Sequence, residues 1–326
     1  MEQDGAKVNQ AAKLFSKIAV IGSGTMGHGI ALVCARGGLP VTLIDTSEDA
    51  LRAAEQKLRA STAQLIASGL APEGCLGDLL DNITYCGDMA QGTQDADLIF
   101  EAVPEKPALK KSVYAQLDAC CTPEAVFVSN TSGIPINVLA AMTKRPSYFA
   151  GTHFFMPAHL IPLVEVIEGE KTEASVIRSL MDFLTCLGKK PVHVRKDIPG
   201  FIGNRLQHAL AREAMSLVQK GIATAEDVDI VVKTSLAIRL LFTGPMEQRD
   251  FNGLDTHLAV AEYLYKDLES SQEPLDILKE TVAAGNYGIK TGKGFFDWMN
   301  KDVATMCRDK NERLIAVLKL LRQYDE

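Results

Sequence analysis

One stretch limits what this chain can fold into more than any other. Gly22-Ser23-Gly24-Thr25-Met26-Gly27 stands directly after the apolar run Lys17-Ile18-Ala19-Val20-Ile21 and opens a helical pattern. Three glycines at this spacing have separate uses at a strand-to-helix turn. The first permits the tight turn, the second lets a pyrophosphate approach the backbone, and the third lets the helix pack closely on the sheet. A second β-branched run, Val41-Thr42-Leu43-Ile44, ends in Asp45, eighteen residues past Gly27. A carboxylate there accepts hydrogen bonds from ribose hydroxyls and repels a 2′-phosphate, and Thr46 follows it rather than Arg. The pattern predicts a dinucleotide site with NAD, not NADP, as cofactor. A turn without a ligand is the plainer alternative for a bare glycine match.

Beyond this turn, short β-branched runs alternate with stretches of helical spacing. Asp97-Leu98-Ile99-Phe100, Val126-Phe127-Val128 and Leu163-Val164-Glu165-Val166-Ile167 read as strands. Leu51, Ala54, Leu58, Thr62 and Leu65 form one apolar stripe of a helix. Such alternation predicts an α/β Rossmann-type domain with a mostly parallel, doubly wound sheet. Past Pro199 the segments become long and helical, so an all-α C-terminal domain should follow. The expected division is a flexible extension over 1–13, an NAD-binding domain over 14–196, and a helical substrate and dimerisation domain over 197–326.

Composition excludes several classes. The 326 residues carry 34 basic and 41 acidic side chains, a net charge of −7, which is not the basic footprint of a nucleic-acid binder. No apolar run approaches the ~18 residues of a membrane span, and residues 1–13 lack the apolar core of a signal peptide. Seven cysteines, an odd number, show no CxxC pair and no zinc-like spacing. They predict reduced, mostly buried thiols, a cytoplasmic protein and no metal.

Further motifs follow in order. They are Phe100-Glu101-Ala102-Val103-Pro104-Glu105, Ser129-Asn130-Thr131-Ser132, Gly151-Thr152-His153-Phe154-Phe155-Met156-Pro157 and Asp197-Ile198-Pro199-Gly200-Phe201-Ile202-Gly203-Asn204-Arg205. Gly244-Pro245, Gly253-Leu254-Asp255-Thr256 and Gly288-Ile289-Lys290-Thr291-Gly292-Lys293-Gly294-Phe295 close the set. With these the chain resembles the 3-hydroxyacyl-CoA dehydrogenase family from about Lys17 to Trp298. The resemblance implies that His153 is the catalytic histidine and Glu165 its paired carboxylate. It implies that Ser132 and Asn204 hydrogen-bond the reacting oxygen. For the cofactor it implies Gly22, Gly24, Gly27, Asp45, Ala102, Glu105, Lys110, Asn130 and Lys290. A histidine suits the proton transfer that accompanies hydride loss from a secondary alcohol. The plainer readings are a core histidine at 153, a helix cap at Ser132, an ordinary helical polar residue at Asn204, and surface salt bridges at Glu105, Lys110 and Lys290.

The substrate stays open at this level. The resemblance implies a 3-hydroxyacyl-CoA oxidised to its 3-oxoacyl-CoA, in fatty acid metabolism. Yet Met156 stands where the family usually has Asn. The helix after the second strand offers only Arg52, Lys57 and Arg59 to the phosphates of CoA. Ser235 to Phe242, with Arg239 ahead of Gly244-Pro245, is similar to superfamily members acting on small hydroxy acids. Among these are L-gulonate 3-dehydrogenase (lambda-crystallin) and carnitine dehydrogenase; a pyridoxine-degradation dehydrogenase is similar at Ser132 to Ile136 and at Ile289-Lys290. Arg239 could grip a free substrate carboxylate or form a structural ion pair. The alternatives are therefore an acyl-CoA enzyme, a small-hydroxy-acid enzyme, and a non-catalytic NAD-binding structural protein. Family resemblance and the apolar-striped second-domain helices imply a homodimer, with no nucleic-acid or membrane partner.

Overall fold

β-branched and aromatic runs form eight strands in one sheet: β1 (Ile18–Ile21), β2 (Val41–Ile44), β3 (Ile83–Cys86), β4 (Leu98–Glu101), β5 (Val126–Ser129), β6 (Phe149–Phe154), β7 (Leu163–Ile167) and β8 (Lys190–Val194). The computed structural model describes residues 10–72 and 74–323. Strand order is β3-β2-β1-β4-β5-β6-β7-β8. Every neighbouring pair is parallel except β6 and β7. Strands β1, β4, β5 and β6 are buried along their whole length, as central strands covered on both faces must be. Ile21, Ile99, Tyr114, Phe127 and Phe149 belong to one core cluster.

The helix Glu48–Ala67 buries the predicted stripe of Leu51, Ala54, Leu58, Thr62 and Leu65. Ser47 caps it by accepting a hydrogen bond from Ala50 N at 3.2 Å, and Glu48 and Asp49 favour the positive end of its dipole. The strand order reverses between β1 and β4, where the connections leave in opposite directions. That switch point opens a crevice at the carboxyl ends of the strands, and the glycine-rich turn lies there.

The described residues divide into two compact units, the first ending at Asn204 and the second beginning at Arg205. The second unit is helical, with Ala225–Val231, Pro245–Asn252, Leu254–Leu264, Asp276–Ala283 and Val303–Arg322 among its elements. The extension over 1–13 lies outside the described residues as far as 9, but residues 10–14 are helical and Ala11 is wholly buried. Phe15 packs edge-on against Phe183, ring centroids 5.3 Å apart. No disulfide joins the seven cysteines, all of which are among the described residues. Only Cys34 is fully buried and Cys307 is exposed, so the thiols are less buried than expected. No described helix is long and apolar enough to cross a membrane, and no described cluster of His, Cys, Asp and Glu could hold a metal.

Candidate active site

At the glycine-rich turn each glycine meets a different requirement. Gly22 has φ 95°, and a Cβ there would stand 2.8 Å from Ala102 O. A Cβ on Gly27 would overlap Gly22 O at 1.7 Å, so only glycine lets the helix Gly27–Arg36 start this close to the sheet. Gly24 has nothing within 4 Å of its Cβ position. That open space before a helix N-terminus is a cradle for a phosphate group. Asp45, at the end of β2, closes the cradle. Its Oδ2 accepts from Ser23 N and Ser23 Oγ, both at 2.9 Å, and its Oδ1 from Ser47 N at 3.0 Å. Ala102 continues β4 on the other side, bonded through N to Ile21 O. The donors, the open glycine and the carboxylate fit a dinucleotide.

Beneath Ala102 lies a buried polar network around Glu101, a residue quoted in a motif but given no part, which takes in Lys110 and Glu105 from the residues assigned to the cofactor. Glu101 accepts from Lys110 Nζ at 2.7 and 2.9 Å, Tyr114 Oη at 2.7 Å, Ser129 Oγ at 2.6 Å and Val103 N at 2.9 Å. Glu101 and Lys110 are each 1% exposed, so Lys110 is a core cation rather than a surface one. Its second partner is Glu105, at 3.2 Å. Glu105 also accepts from the Thr131 hydroxyl and from Ser132 N and Gly133 N. Partial burial alone would raise the Glu105 carboxyl, but Thr131, Lys110 and the Gly133 amide together hold it below the usual range. Burial, with Glu101 beside it, pushes the Tyr114 hydroxyl up.

His153 and Glu165 face each other as a register pair across the antiparallel β6–β7 ladder. A cross-strand pair holds its side chains within reach of each other, and His153 Nδ1 lies 2.7 Å from Glu165 Oε2. The other oxygen, Oε1, accepts from Ile202 N and Gly203 N, each at 2.8 Å. Gly200 (φ 77°) and Phe201 (φ 50°) adopt left-handed backbone ahead of those two amides. Burial would raise the Glu165 carboxyl, yet the bond from His153 and the two backbone N–H groups hold it below its ordinary value. Phe155 and Phe201 wall the imidazole, with ring centroids 4.5 and 5.7 Å from it. This pair can accept a proton at Nε2 and stabilise the charge that results.

The remaining predicted residues fall into two groups. Asn130 directly follows β5 and its Oδ1 accepts from Phe154 N at 3.0 Å, tying the end of β5 to the strand of His153. Asn204 Nδ2 donates to Ser132 O at 2.8 Å. Ser132 does not cap a helix, because the next one begins only at Ile136. Arg239 and Lys290 lie in the second unit, both exposed. Arg239 donates to Ser235 Oγ at 3.1 Å and forms no ion pair among the described residues. Sequence reasoning left Phe201, Thr131 and Ser23 without a part in the site. Only their nearness to quoted motifs could have drawn attention to them.

Residues 17–198 match the NAD-binding domain of 3-hydroxyacyl-CoA dehydrogenase, and residues 200–298 match that enzyme's C-terminal domain. This chain belongs to the 3-hydroxyacyl-CoA dehydrogenase family. It is an NAD-dependent dehydrogenase acting on a hydroxyl group, and its cofactor is NAD. Among similar proteins is the 5-formyl-3-hydroxy-2-methylpyridine 4-carboxylate 5-dehydrogenase of Mesorhizobium japonicum, 35% identical over 94% of this chain and 99% of that protein. The 3-hydroxybutyryl-CoA dehydrogenase of Bradyrhizobium diazoefficiens is 35% identical over 88% of this chain and 97% of that one. Among solved structures, an NAD+-dependent dismutase described as the same pyridine carboxylate 5-dehydrogenase superposes with a TM-score of 0.89, covering 94% of this chain and 98% of that one at 35% identity. The (S)-3-hydroxybutyryl-CoA dehydrogenase of Ralstonia eutropha superposes with a TM-score of 0.73, covering 87% and 99% at 34% identity.

Proposed function

We propose that this dehydrogenase interconverts a 3-hydroxyacyl-CoA and its 3-oxoacyl-CoA, with the buried His153–Glu165 pair carrying the proton. That pair, at the end of β6 and in the same unit as the glycine-rich cradle, is the observation on which the reading rests. Glu165 accepts a hydrogen bond from Nδ1–H, which leaves Nε2 of the imidazole as the base. His153 then takes the hydroxyl proton at Nε2 as the alcohol is oxidised. Glu165 and its two backbone donors keep the imidazolium paired and correctly turned. The side chains of Ser132 and Asn204 are the candidates to hydrogen-bond the reacting oxygen. Gly22, Gly24, Gly27, Asp45, Ala102 and Glu105 would hold the NAD, while Lys110 would act by fixing Glu105, and Asn130 by fixing the backbone of β6. Lys290 is a further candidate from the second unit. NAD, when bound, supplies the hydride acceptor. The 2′-phosphate of NADP would meet the Asp45 carboxylate.

A second reading is a small ring or hydroxy acid carrying a free carboxylate, and two observations favour it. The similarity to the pyridine carboxylate dehydrogenase runs over more of the chain and superposes more closely. In the helix after β2, Arg52 is paired with Glu48 and Asp49, and Arg59 with Glu55. These acids on the same helix offset the cations that a CoA nucleotide would need.

The two substrates separate by assay. On 3-hydroxybutyryl-CoA, His153→Ala should lower kcat by ~10²–10⁴ with NAD affinity unchanged, the usual scale for a general base. Near-wild-type turnover would sink the assignment. Arg239→Met should leave the KM for 3-hydroxybutyryl-CoA unchanged. If the substrate is instead a small carboxylate anchored there, the same variant should raise its KM by ~10-fold or more.

The second unit also supports a homodimer. Phe242, Phe251, Leu254, Leu258, Tyr263 and Tyr265 are all exposed, far more apolar surface than a helical unit of this size keeps in water without a partner. A second copy would cover it with a self-complementary patch. A cytoplasmic location remains part of this proposal.

A further inference from the structure

The strands of His153 and Glu165 are joined by an irregular connection that passes through Met156, Pro157, Ala158 and Ile161. Within it, Leu160 N and Ile161 N both donate to Pro157 O. Two of its carbonyls turn toward the side chain of Lys189, which enters from the end of the helix Ala174–Cys186. Lys189 Nζ donates to Ala158 O at 2.6 Å and to Ile161 O at 2.9 Å. The residue is only 8% exposed, and among the described residues no carboxylate pairs with it. The next backbone amide, Lys190 N, donates to Pro162 O at 2.9 Å, so the end of the connection is pinned from the same place.

A buried ammonium without a counter-ion is costly. Simple packing would be served better by Leu or Met at this position. What the side-chain nitrogen supplies, as ammonium or as neutral amine, is N–H donors for two carbonyls that no strand or helix satisfies. The connection has contacts on its other side as well. A Cβ built on Gly29 would lie 3.0 Å from Ala158 Cβ, and Gly29 sits in the first turn of the helix that follows the dinucleotide cradle. Lys189 Nζ is also 5.9 Å from the centre of the Phe154 ring, whose backbone directly follows His153. The Ala158 turn is therefore held between Lys189 and the cofactor-binding helix, and both ends of that turn run into the two strands of the catalytic pair.

We infer that Lys189 is a positioning residue for the reaction: by holding the carbonyls of Ala158 and Ile161 it fixes the β6–β7 connection, and so the placement of His153 and Glu165 against the cofactor helix. The inference rests on His153 as the proton acceptor. Lys189 touches neither the imidazole nor the carboxylate. Misplacing a catalytic group by ~1 Å can cost up to ~10²-fold in rate, so a loosened connection has room to lower turnover without unfolding anything.

The test is a double-mutant cycle on the full-length enzyme with NAD and 3-hydroxybutyryl-CoA. Lys189→Met keeps the apolar length of the side chain and removes its donors. It should lower kcat by ~10-fold or more while the Kd for NADH, read by fluorescence, moves less than about threefold. In a Glu165→Gln background the same change should cost less than about threefold, because residues acting through one unit are not additive. Equal losses in both backgrounds, or a lowered melting temperature with kcat per folded enzyme intact, would overturn the inference. If Lys189→Met does not fold, Lys189→Leu, which also removes the donors, takes its place, and full kcat in that variant also overturns it. Failure of both to fold makes Lys189 a folding residue and overturns the positioning role. His153→Ala is run alongside. Retained activity there refutes the proton-acceptor reading, whereas an inactive His153→Ala beside a fully active Lys189→Met refutes only the role of Lys189.

Discussion

At the scale of single residues, the side chain that settles the local geometry of the glycine-rich turn is also the one proposed to select the cofactor. Asp45 is held by three donors, two from Ser23 in the glycine-rich turn and one from Ser47. A carboxylate fixed in this way stays at the end of β2 and does not swing aside. Asp45→Ala should therefore narrow the preference for NAD over NADP by ~10-fold or more, equivalent to ~1.4 kcal/mol. Ratios of kcat/KM for the two cofactors measure it, and a wild-type enzyme equally efficient with both would contradict the role. Asp45 was legible in the sequence because its spacing from Gly27 is a property of one chain segment. The bonds to it from Ser23 were not, because side-chain direction at a turn depends on the folded backbone. His153 and Glu165 were paired only through resemblance. Twelve residues of separation do not imply contact until the register of β6 on β7 makes them opposite.

At the scale of elements, the strands β4 and β5 and the helix Pro107–Cys120 meet in a charged core. Lys110, Tyr114 and Ser129 all donate to Glu101 from these elements. The helix carries Lys110, Val113, Tyr114 and Leu117 on its buried face, so a cation occupies a place where the periodicity leads one to expect an apolar residue. No motif or periodicity quoted from the sequence pointed to this helix or its polar seam, and the resemblance assigned Lys110 to the cofactor without showing that it is buried. Removing one partner of a buried ion pair leaves an uncompensated charge, at a cost of ~3–5 kcal/mol. Lys110→Met should destabilise the protein by about that amount and loosen Glu105, its second partner. Chemical denaturation checks the first. A Lys110→Met protein as stable as wild type would mean that the network is not a stabilising element. Strands β1, β2, β4, β5 and β7 could be read from β-branched runs. Strand β6 was quoted only as the His153 motif, because its alternation is masked by a Gly-Thr-His sequence, and the single antiparallel pairing has no local signal at all.

At the scale of the whole molecule, buried ionisable groups give stability a dependence on pH with a definite shape. Glu165 and Glu105 have carboxyls held below the usual range, so the unfolded chain binds more protons and stability is lost as pH falls through that range. Burial, with His28, Lys189 and Arg36 nearby, lowers His159 to about 4. It stays neutral in the fold while an unfolded histidine protonates below ~6.5, which again costs stability in acid. Burial, helped by Arg36 and opposed by Cys34, lowers Lys189 to about 7. Above that value the fold holds a neutral amine while the unfolded chain stays charged up to ~10.4, so Lys189 makes stability rise with pH from about 7. Cysteines reverse the trend. Burial pushes Cys34 up to about 12 and Cys121 up to about 11, and unfolded thiols ionise above ~8.5, which favours the unfolded chain there. Two such thiols outweigh one lysine. Stability should therefore rise from pH 4 to a maximum near pH ~8.5 and decline beyond it. Urea midpoints measured across pH 4–10 give the curve. Lys189→Met should remove the rise between pH 7 and 8.5 while leaving the acid side intact, and a rise that persists in that variant would show that another group carries it.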